Sequence, residues 1–83
     1  VYVIGFVKDG KWFFVISGEC GYPYVFSDFE GHQLDDCFIS QERAQEYIKK
    51  IIKFEWGEDI GVPADQIPYR LKIYRVTLSL EEV

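Results

Sequence analysis

Asp9-Gly10 is the feature that most narrows what this chain can fold into. The pair accepts the positive φ angles of a type I′ turn, and it stands between Val1 to Val7 and Lys11 to Ser17, two runs rich in β-branched and aromatic residues. A β-hairpin with a two-residue loop follows. In that register Val7 faces Trp12, Phe6 faces Phe13, Gly5 faces Phe14 and Ile4 faces Val15, so both faces of the hairpin are apolar. One face is expected to meet a helix, and the other needs a different cover. Phe14 can lay its ring over the bare backbone of Gly5. The same register sets Lys8 against Lys11, a repulsion that a longer loop would relieve.

The helix is written further along. Ser40 stands where an N-cap belongs, Glu42 falls in the first turn, and Ala44, Tyr47, Ile48, Ile51, Ile52 and Glu55 keep the three-and-four spacing of one helix face. Lys49, Lys50 and Lys53 suit the negative end of the helix dipole, Glu46 reaches Lys50, and Gly57 is a natural stop. The spacing predicts a helix from Gln41 to about Trp56. Between hairpin and helix, Gly18 to Pro23 reads as a loop and Tyr24 to Asp28 as a short third strand, with Tyr24 and Phe26 sharing a face with Tyr22. Cys37 to Ile39 is a candidate for one further short strand. Beyond the helix, Glu58 to Pro68 is a connection with room for one helical turn from Pro63. Tyr69 to Leu80 reads as one long strand whose apolar phase changes partway, through either a bulge near Ile73 and Tyr74 or burial of both faces.

These elements make an α+β domain: an antiparallel sheet of four to five strands with one amphipathic helix packed on one face. Its 83 residues leave room for a single domain over 1–83. Disorder is excluded, because 48% of the residues are hydrophobic and two Trp, six Tyr and seven Phe supply a large area to bury. The longest apolar run, Trp12 to Ile16, is far too short to span a bilayer, so the chain is read as cytoplasmic. Cys20 and Cys37 could meet in a disulfide, though two reduced thiols are the simpler expectation for one pair without an export signal.

Charge is the most uneven feature. From Trp12 to Glu42 there is no Lys or Arg, whereas Glu19, Asp28, Glu30, Asp35, Asp36 and Glu42 are all acidic. That stretch accounts for the whole net charge of −5. Such a field repels phosphate and disfavours direct contact with nucleic acid, while it favours a partner with a basic surface. Tyr22, Tyr24, Phe26 and Phe29 alternate with the acids. Phe26 is expected in the core. Tyr22, Tyr24 and Phe29 are expected to be partly exposed, since one helix cannot cover both faces of the hairpin and this strand as well. Tyr22, Tyr24, Asp28, Phe29, Glu30, Asp35 and Asp36 are therefore the candidate partner-binding residues, aromatic anchors inside an acidic rim. The same face could instead close a homodimer.

Catalytic and metal chemistry find less support. Asp28, Glu30, His32, Asp35, Asp36 and Cys37, with Cys20, could ligate a metal, yet they lack the paired spacings of zinc sites and the alternation of a calcium loop. No metal and no cofactor is expected. A small metal- or thiol-dependent enzyme centred on Cys20, His32 and Cys37 is the alternative from another class. The run Ile39-Ser40-Gln41-Glu42-Arg43-Ala44-Gln45-Glu46-Tyr47-Ile48, after a hairpin and before a closing strand, resembles a pattern found in small, mostly uncharacterised phage and bacterial accessory proteins. The resemblance implies a protein that acts by binding another protein, an inhibitor that occupies a basic groove among the roles it suggests.

Overall fold

The turn at Asp9-Gly10 forms as its residue types require, with φ of 53° and 77°. In the computed structural model, which describes residues 1–28, 34–77 and 79–83, it joins β1 (Tyr2–Lys8) to β2 (Lys11–Ser17). The register is Ile4 to Val15, Gly5 to Phe14, Phe6 to Phe13 and Val7 to Trp12. Lys8 and Lys11 do face each other across the two-residue loop. Lys8 turns its ammonium toward Gly61, far along the chain, and the loop keeps its two residues. β3 (Pro23–Phe26) adds to β2, β4 (Lys72–Val76) adds to the other side of β1, and β5 (Leu80–Glu82) adds to β4. The result is a five-stranded, wholly antiparallel sheet in the order β3-β2-β1-β4-β5.

Because side chains alternate, the register sorts them onto two faces. Ile4, Phe6, Val15 and Ile73 form one, and helix α1 (Gln41–Lys53) covers it with Ala44, Tyr47 and Ile51. Ser40 caps α1 as expected, its Oγ accepting from the Arg43 N–H at 3.1 Å. Val3, Phe14, Ile16, Phe26 and Tyr74 form the other face, joined by the buried Cys37. Phe14 and Tyr74 close over Gly5: a Cβ there would lie 2.9 Å from a Tyr74 ring carbon and 3.4 Å from one of Phe14. Both faces are thus apolar, and each has its own cluster.

Several boundaries differ from expectation. The long C-terminal strand is three elements: a helical turn, α3 (Ile67–Arg70), then β4, then β5 folding back on it. The changing phase comes from burial of both faces, Ile73 on the helix side and Tyr74 on the other. Pairing of β1 with β4 runs from Tyr2 to Gly5 without a bulge. The reversal after β4 is held by Thr77, whose hydroxyl donates to the Ser79 carbonyl at 2.9 Å and accepts from the Ser79 N–H at 3.2 Å. Cys37 to Ile39 is not a strand; Phe38 alone bridges to Tyr2, through bonds of 2.7 and 2.8 Å.

Helix α1 stops at Lys53 rather than near Trp56. Glu55 takes the left-handed conformation at φ 57°, Trp56 N–H bonds back to Ile51 C=O and Glu55 N–H to Ile52 C=O. This is the Schellman arrangement, with glutamate where glycine is usual and the hydrophobic pair Trp56 and Ile51 closing it. Gly57, expected as the stop, opens the short helix α2 (Gly57–Ile60). A Cβ on Gly57 would stand 2.6 Å from the Val62 carbonyl oxygen, so backbone approaches backbone there. Two further turns follow, a 3₁₀ turn over Ala64–Gln66 and α3, where a single turn from Pro63 was expected. Arg70 reaches back from α3 to donate to the Val7 carbonyl at 2.8 Å.

Gly57→Ala is expected to lower stability by ~1–3 kcal/mol, because the obstacle is backbone. Gly5→Ala should cost less, because the Tyr74 ring can give way. Urea denaturation of the two variants, compared at unchanged m-value, checks the order.

Candidate functional site

Tyr22 and Tyr24 stand where β3 begins, and their exposure follows from position. β3 is an edge strand; α1 and the short helix α2, which packs on β3, lie on the Val25 side of the sheet, and Tyr24 lies on the opposite face, beyond Phe26 at the rim of the second cluster. Tyr22 is 59% and Tyr24 39% exposed, whereas Phe26, two residues on, is buried as expected. Tyr22 rests against Trp56, ring centroids 5.4 Å apart, and Trp56 in turn packs on Tyr47 at 6.1 Å. Tyr24 stacks on Phe26 at 5.8 Å, which continues to Phe14 at 5.7 Å. Each exposed tyrosine is therefore backed by a row of aromatic rings reaching into one of the two clusters.

The turn that presents Tyr22 is tied down from the helix. Tyr47 donates its hydroxyl to the Gly21 carbonyl at 2.7 Å. Gly18 N–H donates to Tyr22 C=O at 2.7 Å, closing the 3₁₀ turn Glu19–Gly21 onto the end of β2. Burial pushes the Tyr47 phenol above the ordinary tyrosine range, and it does the same to Tyr74, where the Glu82 carboxylate adds to it.

A groove of about 740 Å³ opens beside this turn, lined by Ile16, Glu19, Tyr22, Tyr24, Val25 and Asp36 among others, with no Lys or Arg among the described residues of its walls. Of the sequence candidates it brings together Tyr22, Tyr24 and Asp36. Asp28 and Asp35 are exposed but do not line it. Phe29 and Glu30 lie outside the described residues, as does His32. Glu19 was not among the candidates; its place in the acidic stretch beside Gly18 was the signal available. Trp56 was missed as well, because its role as a support depends on where the helix ends.

Cys20 is exposed, in a left-handed conformation at φ 56°, and Cys37 is buried; the two form no disulfide with each other. Burial is the main cause that pushes the Cys37 thiol up, so it ionises less readily than an ordinary cysteine. Among the described residues no three His, Cys, Asp or Glu side chains converge on a point where a metal ion could sit. Nor, among those residues, is any helix long and apolar enough to cross a membrane. Comparison of the chain with family models, curated proteins and solved structures finds no match.

Two measurements follow. In the folded protein an alkylating reagent should modify Cys20 rapidly and Cys37 only at the rate of unfolding, with denaturant removing the difference; equal rates would contradict the burial. The raised phenols favour the folded state while neutral, so that stability should be full below the usual tyrosine pKa of about 10 and decline as pH rises beyond it. Tyr47→Phe should cost about 1 kcal/mol at neutral pH through the lost bond to Gly21, yet show a shallower alkaline decline.

Proposed function

We propose that this protein is a non-enzymatic, acidic interaction module that binds a basic surface on a partner protein. In this reading it is a cytoplasmic accessory protein of the phage or bacterial kind, and an inhibitor where the surface it covers is the partner's working groove. The observation that carries the reading is the groove: two exposed tyrosines, fixed from behind by packed rings, share walls with Glu19 and Asp36 and, among the described residues, with no cationic side chain. Rigid aromatic area costs little entropy to dock, and surrounding carboxylates steer a cationic partner and set its orientation. Asp28 and Asp35, exposed nearby in the sequence, extend the negative field beyond the groove.

Affinity capture of a basic partner at low and high salt tests the proposal. Salt should weaken capture, and replacing Asp28, Glu30, Asp35 and Asp36 together by Asn or Gln should remove most of that salt dependence. Tyr22→Ala with Tyr24→Ala should reduce affinity by about tenfold or more while leaving the fold intact. A partner held equally well by all three proteins at both salt concentrations would overturn the reading.

A further inference from the structure

We infer that the outer edge of β3 takes an extended basic peptide as an added antiparallel strand, with alternate Lys or Arg side chains lying over Tyr24 toward Asp36 and Glu19. The inference rests on the function proposed above and names the form of the partner.

The backbone supplies the first part of the argument. In the two-residue hairpin, Lys8 and Lys11 are a hydrogen-bonded pair, which makes Ile4 and Val15 another and turns Phe14 and Ile16 toward β3. The bond from Gly18 N–H to Tyr22 C=O gives the same phase independently. Tyr24 and Phe26 therefore bond inward to β2, while the N–H and C=O of Val25 and the C=O of Pro23 point away from the sheet. No described residue pairs with that edge. An incoming antiparallel strand would make two bonds with Val25 and donate a third to Pro23, as in other cases where a peptide extends a sheet. Pro23 has no N–H, so it limits the pairing to one short register instead of an open-ended edge.

The side chains supply the second part. In an added strand, residues opposite Val25 and Pro23 fall on the face of Val25, toward the apolar cluster that holds Trp56 and Ile60. The residue opposite Tyr24 falls on the face of the groove, whose ionisable walls among the described residues are Glu19 and Asp36 apart from the tyrosines. A cation there meets an aromatic ring and two carboxylates at once. The matching ligand alternates basic with apolar residues.

An eight-residue peptide of alternating Arg and Val, with both ends blocked, is the probe, titrated into the intact protein and followed by NMR. It should bind, and hydrogen exchange of the Val25 amide should slow by about tenfold or more, since that N–H passes from water to a peptide carbonyl. N-methylation of the valines, whose N–H groups would face β3, should weaken binding by about tenfold or more. N-methylation of the arginines, whose N–H groups would point away, should be tolerated. Replacing Arg by Glu should abolish binding. Binding that ignores valine methylation, or that leaves Val25 exchange unchanged, overturns strand addition but leaves an acidic site for basic partners. If no basic peptide binds, strand addition is overturned, and the salt-dependent capture described above decides separately whether the broader reading falls too.

Discussion

The register of β1 against β2 governs everything else in this molecule. The two-residue turn permits one pairing, and that pairing puts Ile4, Phe6 and Val15 under the helix and Val3, Phe14 and Ile16 on the opposite side. A slip of one residue would exchange the two sets and set Gly5 where Ile4 meets Ile51, a loss of volume that no neighbouring side chain could fill. The same register decides which backbone groups of β2 are free for β3. Through β3, it decides which are left at the edge. A local choice of turn residues thus propagates through three strands to the outer edge of the sheet.

Much of this was legible because the signals are local. Asp9-Gly10 announces its turn by residue type, and the Ser40 cap with the stripe from Ala44 to Ile52 announces its helix by spacing. The C-terminal half was harder, for reasons visible in particular residues. The chain reverses after β4 with no glycine or proline between Val76 and Leu80; the turn is held by a threonine hydroxyl, and threonine is also a favoured strand residue. Helix α1 ends on a left-handed glutamate, where the backbone bonds from Trp56 to Ile51 and from Glu55 to Ile52 close the helix and Trp56 packs against the core cluster. Gly57 meanwhile is reserved for a close approach to Val62. Each of these rests on a contact two to five residues away whose geometry residue type and spacing do not announce.

The candidate site divides along the same line. Alternation along β3 puts buried Phe26 and exposed Tyr24 on one face; the difference is that Phe26 belongs to the cluster around Phe14 while Tyr24 lies beyond it, toward the start of the strand. Charge asymmetry marked the acidic stretch without separating Asp36 and Glu19, which both line the groove, from Asp28 and Asp35, which do not. Sequence shows that negative charge is concentrated; only the path of the chain shows where it is focused.

The strand order has a consequence for synthesis. β1 lies at the centre of the sheet, yet one of its sides waits for β4, whose residues follow some seventy positions later, as the bond from Val76 N–H to Val1 C=O shows. On the ribosome the hairpin, third strand and helix emerge before β4, leaving an apolar central strand half paired until β4 clears the exit tunnel. The nascent domain thus carries that seam open while all the residues between β1 and β4 are made, and truncation before Lys72 would leave it permanently unclosed.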